Sequence, residues 1–228
     1  YHSSIGGYHG AKMRRYQDVI ENIFPEERNN LVSELRENST NFSENHLLNM
    51  LNVGFVQFGD KKNNVVKNNY SNGNAWFINK ILEVNSAEEE MELMSSINSK
   101  REAIVDISRF ELGNNREYNI DGKISLVEHS PKRLLYKSSN SFDGFIVFSE
   151  IYYPDGWKVY VNDVEKKLVR TNYILRGIEV DKGENTIEMV FNPNSYIIGD
   201  KIIKASNYIL LLLIIICCII EFRKKNDK

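Results

Sequence analysis

Cysteine is nearly missing from this chain of 228 residues: there are two, Cys217 and Cys218, side by side in its most apolar stretch. They cannot staple a folded domain, so whatever precedes them must be stable through packing alone. Lipid attachment to these thiols is one reading; small, weakly polar residues in an apolar helix is the other. A charge excess is lacking as well, with 29 Lys and Arg against 31 Asp and Glu and a net charge of -2. Nucleic-acid binding needs a concentrated basic face, and this composition offers none. No Ser/His/Asp or Cys/His nucleophile arrangement, glycine-rich phosphate loop or zinc-ligand spacing occurs in the sequence. Chemistry built from this stretch alone is therefore not expected.

One thing is present in excess, the apolar run from Ile202 to Phe222, IIKASNYILLLLIIICCIIEF. It is apolar on every side rather than along one stripe, so it does not suit a surface helix. A hydrocarbon core of about 30 Å needs about 20 such residues, which the run supplies if Lys204 lifts its ammonium to the headgroups. The alternative is the buried core helix of a soluble domain. The ending separates the two, because Arg223, Lys224, Lys225 and Lys228 follow at once as a basic stop. Positive flanks stay in the cytoplasm, which predicts that residues 1–199 lie outside it, with the bilayer as partner. Such a late span cannot export the preceding domain. No initiator Met or leader peptide precedes Tyr1, so the chain is expected to be the carboxyl-terminal piece of a multi-span protein of the bacterial inner membrane.

With 42% hydrophobic and 26% charged residues, the remainder reads as ordinary globular material. Tyr1 to Gly10 repeats Tyr-His across a Ser/Gly segment, and from Ala11 Met13, Tyr16, Val19 and Ile20 fall on one helical face. Basic residues at a helix start oppose its dipole, so His2, Tyr8, His9, Lys12 and Arg15 are candidates for meeting a phosphate or a sugar. The competing reading is a packed aromatic loop and a solvated basic turn. Phe24-Pro25-Glu26-Glu27 opens a further helix. Ser43 is a plausible N-cap with Phe42 and Leu47 as its staple, and Ser86 with Glu89 forms a capping box. Lys61 to Asn74 reads as an exposed loop or hairpin, Ala75 to Val84 as a bent strand pair and Ala103 to Ile107 as a strand.

After Asn115 about seven short strands alternate with turn signals such as Pro154-Asp155-Gly156 and Asp181 to Glu184, the pattern of an antiparallel β-sandwich. The predicted fold class is α+β: a loop and helical arm over 1–41, a small α+β unit over 42–119, the sandwich over 120–196, a span over 200–222 and a basic tail over 223–228. The cluster from Phe148 to Trp157 places Glu150, Tyr152 and Trp157 close together. Aromatic rings beside carboxylates suit a sugar face, and equally a turn anchor in the core.

Several blocks in order resemble the carboxyl-terminal region of the bacterial YfhO-type membrane protein family, in a Bacteroidetes-like branch. They are YHSSIGGYHGAKMRRYQD, LLNMLNVGFVQ, GNAWFI, VNSAEEEMELM, FSEIYYPDGWKVYVND and NYILRGIEVDKGENTIEMVFNP, and they cover nearly all of the chain. The resemblance implies a polytopic protein of GT-C type that moves sugar from a polyprenyl-phosphate donor to a cell-envelope polymer such as lipoteichoic acid, with a divalent metal allowed for in the full-length protein. It implies no cofactor in this segment and places the acidic catalytic base upstream of Tyr1. The upstream transmembrane domain and envelope glycan are the partners it suggests, and nucleic acid is not one. A non-catalytic glycan-binding module and a structural cap of the membrane half are the alternatives.

Overall fold

The structure, a computed structural model, describes residues 4–6, 12–36, 41–59 and 64–226. Two helices come first, α1 (Arg14–Asn22) and α2 (Phe24–Arg36), then a 3-10 turn (Phe42–Glu44) and the short α3 (His46–Met50). A hairpin of β1 (Phe55–Gln57) and β2 (Val65–Lys67) precedes β3 (Ala75–Ile78) and β4 (Lys80–Val84), and α4 (Ala87–Met94) crosses back to β5 (Glu102–Asp106). Eight strands follow: β6 (Lys123–Ser130), β7 (Arg133–Asn140), β8 (Gly144–Ile151), β9 (Trp157–Val161), β10 (Val164–Lys166), β11 (Val169–Thr171), β12 (Leu175–Val180) and β13 (Gly183–Phe191). Helix α5 (Asn194–Asn226) ends the chain.

In β8 the four residues Phe145, Ile146, Val147 and Phe148 are all fully buried. A strand covered on one face alternates, so an unbroken buried run requires cover on both. The fold supplies it. Strand β8 lies inside a four-stranded antiparallel sheet of order β11-β12-β8-β3. Ile146 and Phe148 look into a sandwich core shared with the five-stranded sheet β10-β9-β13-β7-β6, against Tyr136, Ile187 and Met189. Phe145 and Val147 look the other way, into a second core with Val19, Met50, Ile81 and Ile104. The sequence reading takes Ala75 to Ile78 with the small α+β unit, and here that strand is hydrogen-bonded to β8. Its neighbour β4 bends away at Asn79 and pairs in parallel with β5.

The predicted cap of α4 is present with its return bond shifted by one residue: the Glu89 N–H donates to Ser86 Oγ at 3.2 Å, and Glu89 Oε2 accepts from the N–H of Asn85, just before the cap, at 2.8 Å. Ser43, expected to cap α3, does not. The Asn41 side chain accepts from the Ser43 N–H, and α3 starts later, at His46. Its first free donors, the N–H groups of Leu47 and Leu48, reach the Glu27 carboxylate from α2 at 2.7 and 3.3 Å. A partner distant in sequence thus replaces the local cap, which no window around Ser43 reveals.

Burial pushes the Glu27 carboxyl up to about 7, against the pull of those two N–H groups. A folded-state pKa above the unfolded one means that the fold binds the proton more tightly. The contribution of Glu27 to stability should therefore fall by about 3 kcal/mol between about pH 4.5 and 7 and be flat above that. Chemical denaturation across this range should show a slope that Glu27→Gln, which keeps an acceptor but cannot titrate, reduces by that amount.

Among the described residues one helix segment, Asn194–Ile220, is long and apolar enough to cross a membrane. Nothing among the described residues covers it: Leu210, Leu211, Ile214 and Ile215 are each roughly half exposed. A core helix of a soluble domain would be buried, so this observation favours the membrane reading of the run.

Candidate functional site

The site is organised by a tight turn. Asn172 and Tyr173, which join β11 to β12, both have positive φ, 47° and 66°. That is an unfavourable region for side-chain-bearing residues, with Asn the best tolerated. Asn172 is fully buried and is held twice by the middle of β5: its N–H donates to Ile104 O at 3.0 Å, and its Oδ1 accepts from the Ile104 N–H at 2.8 Å. Asn172→Ala should cost about 2 to 3 kcal/mol, since it leaves a buried N–H unpaired and retains the strained φ. Urea denaturation would measure the loss.

This turn places Arg170 and Tyr173 beside α4, α1 and the segment after β5. Glu90 of α4 is completely buried, with Oε1 accepting from the Tyr173 N–H at 2.8 Å and Oε2 accepting from Arg15 Nη1 and Arg170 Nη2, both at 3.2 Å. The buried Asp106 lies 3.6 Å from both Arg170 Nη2 and Arg109 Nε. The Arg15 guanidinium stacks on the Tyr173 ring at 4.3 Å, and Arg170 lies over Phe110 at 5.1 Å. Burial pushes the Glu90 carboxyl up, while Arg170, the Tyr173 N–H and Arg15 draw it back.

Above this network lies a cleft of about 570 Å³ lined by Arg14, Arg15, Arg109 and Arg170 and by the rings of Phe110, Tyr152 and Tyr173. Tyr152 reaches it because β8 carries a bulge: Ile151 pairs with Leu175 while Phe148 pairs with the next residue, Arg176, so the end of β8 is redirected. Its ring meets Phe110 edge-on at 5.6 Å. The cleft combines guanidinium donors from three parts of the chain with apolar ring surfaces. It is equipped to hold an anion attached to an apolar or ring-bearing body.

Of the residues singled out by sequence, Arg15 and Tyr152 meet in this cleft although they are far apart in the chain. Lys12 is exposed just ahead of α1 and does not line it. His2, Tyr8 and His9 lie outside the described residues. Glu150 and Trp157 gather in a second cluster: Arg176, 3% exposed, stacks on Trp157 at 4.2 Å and donates Nε to Ile151 O, while Glu150 sits 3.9 Å from His129 Nε2. The other neighbour of Trp157 is Phe191, 5.3 Å between ring centres. Burial raises the Glu150 pKa and lowers that of Arg176.

Sequence reading missed Glu90, Arg109, Phe110 and Arg170. For Glu90 a signal existed. Ala87, Glu90, Met91 and Met94 share the helical spacing of one face, so an acid stands in the stripe that must be buried. No local signal marked Arg170, because its partners come from other elements.

The fold and its cleft define an α+β domain followed directly by a helix of membrane-crossing length. The chain belongs to the family of the bacterial membrane protein YfhO, which matches residues 43–203. No curated protein and no solved structure matches it.

Proposed function

We propose that this chain is the extracytoplasmic portion and last span of a polytopic GT-C-type glycosyltransferase, which moves sugar from a polyprenyl-phosphate donor to a cell-envelope glycan or lipid. In this reading residues 1–199 lie outside the cytoplasm, the basic residues after Phe222 lie inside, and the base that activates the acceptor belongs to the upstream membrane half. The folded domain positions the acceptor over that half. One observation carries the proposal: the cleft that unites Arg15 with Tyr152 sits at the end of the domain from which α5 leaves. Gly156, four residues after Tyr152, has φ 111° and lies so close to Pro193 that a Cβ would stand 2.8 Å from its ring. The Gly156 carbonyl accepts from the Asn192 N–H at 2.7 Å, two residues before α5 begins.

The test is sugar transfer by the full-length protein from a panel of polyprenyl-phosphate sugars. Arg15→Ala and Tyr152→Ala should each lower transfer roughly tenfold or more, the effect of losing one good contact, with unchanged protein in the membrane. Full activity in both variants would remove the cleft from the reaction. A second reading, a structural cap of the membrane half, draws on Trp157, whose ring is occupied by Arg176 and Phe191 instead of standing free as a sugar platform. It predicts that truncations in the cleft affect stability alone.

A further inference from the structure

We infer that the arginine cleft is a binding site for a phosphate group carried on a membrane-borne ligand, held by Arg14, Arg15, Arg109 and Arg170 with its apolar or ring-bearing body against Phe110 and Tyr152. Only the identity of the reaction it serves rests on the proposed function; the anion site does not.

Three observations carry it. The first is the placing of the guanidinium groups. Four of them face the carboxylates of Asp18, Glu90 and Asp106 and, from the loop beside Tyr152, Asp155, so the charges balance overall and it is the exposed guanidinium donors at the rim that an incoming anion meets. The inner part is fixed by Glu90, whereas Arg14 and Arg109 stand at the rim with side chains 92% and 67% exposed. A planar carboxylate is satisfied by one arginine fork; groups converging from α1, β11 and the segment after β5 suit a tetrahedral anion with several oxygens.

The second is an unused donor. Arg170 is only 7% exposed, and its Nε–H has neither a partner among the described residues nor surface open to the cleft, so a small shift of the guanidinium toward an anion is what would satisfy it. A buried donor without an acceptor costs free energy, and guanidinium donors bind anions strongly. The third is position. The loop that supplies Tyr152 and Pro154 to the cleft is clamped to the start of α5, with Tyr153 also lying 6.4 Å from Phe191. From Asn194 to the first residue of the apolar run, Ile202, the helix rises only about 12 Å. This tether holds the cleft near the headgroup layer, where phosphates are dense. On the same side Lys132 stacks on Tyr196 at 5.4 Å, a basic and aromatic pair of the kind that sits at a membrane interface.

The experiment uses the full chain in phosphatidylcholine nanodiscs, titrated calorimetrically with inorganic phosphate and, separately, with short-chain phosphatidic acid. Diacylglycerol of the same chain length serves as the control without phosphate. The variants are Arg109→Ala, at the exposed rim, and Arg170→Lys, which keeps the charge facing Glu90 but removes the fork. Arg133→Ala, outside the cleft, is the comparison. Phosphatidic acid should bind saturably and more tightly than inorganic phosphate. Both cleft variants should weaken it roughly tenfold, Arg133→Ala should not, and diacylglycerol should show no saturable binding. Equal binding of inorganic phosphate and phosphatidic acid would overturn the membrane source. Absence of binding, or binding indifferent to Arg109→Ala and Arg170→Lys, would overturn the site itself. Because no sugar transfer is read, intact phosphate binding without transfer would count against the glycosyltransferase reading alone.

Discussion

Replacing Glu90 by alanine should lower the stability of the folded domain by about 3 to 5 kcal/mol, the range found when one partner of a buried ion pair is removed. Among the described residues Glu90 is the only carboxylate in direct hydrogen-bonding contact with Arg170, and it also takes the Tyr173 N–H and Arg15. Without it a guanidinium remains at 7% exposure with only Asp106 at 3.6 Å, and a backbone donor in a strained turn loses its acceptor. For a domain of this size the loss corresponds to a fall in Tm of roughly 10 °C. Thermal unfolding followed by near-ultraviolet circular dichroism would record it. Glu90→Gln should fall between wild type and alanine, since its amide oxygen still accepts from Tyr173 but carries no charge. The double variant Glu90→Ala with Arg170→Ala should be less destabilised than the two single losses combined, because no orphaned charge remains. Strict additivity would mean that the pair does not interact energetically.

How far the sequence reveals this architecture depends on the range of the forces involved. The strands after Asn115 are legible because turn chemistry and alternation are local; the breaks between β8 and β9 and between β12 and β13 fall at the turns expected at Pro154-Asp155-Gly156 and Asp181 to Glu184. The α4 cap is legible for the same reason. The start of α3 is not, because its donors are taken by Glu27, twenty residues earlier in the chain. Nor is the partnership of β3 with β8, since Ala75-Trp76-Phe77-Ile78 reads equally well as a strand of either core: Phe77 faces one and Trp76 and Ile78 face the other. The cleft shows the same division. A basic helix start and an aromatic segment mark Arg15 and Tyr152 as residues available for binding. Their meeting requires the β8 bulge and the Asn172 turn, both of which depend on tertiary contacts. Glu90 is hidden by a plausible alternative, because a run of acids at a helix start already has a local explanation in the helix dipole.

Phe148→Ala should produce a loss of about 3 to 5 kcal/mol by a different route, the cavity left in the sandwich core. Phe148 is fully buried and packs edge-on against Tyr136, with ring centres 4.9 Å apart. It lies opposite Ala75 on one side and Arg176 on the other, positions with little freedom to collapse inward because their strands are hydrogen-bonded in register. Tyr136→Phe supplies the contrast. The Tyr136 hydroxyl is buried with no partner among the described residues, so removing it deletes an unsatisfied group while keeping the ring. That change should be neutral or slightly stabilising, within about 1 kcal/mol. Guanidinium denaturation of the two variants separates packing from polarity at a single contact. Phe148 and Tyr152 lie on one continuous segment but face different places, the core and the cleft. At low temperature, where Phe148→Ala is still folded, it should therefore retain phosphate binding in the cleft, whereas Arg109→Ala should weaken binding roughly tenfold with little change in stability. A Phe148→Ala protein that stays folded but loses phosphate binding would show that the sandwich core and the cleft are one cooperative unit, with the β8 bulge transmitting the change.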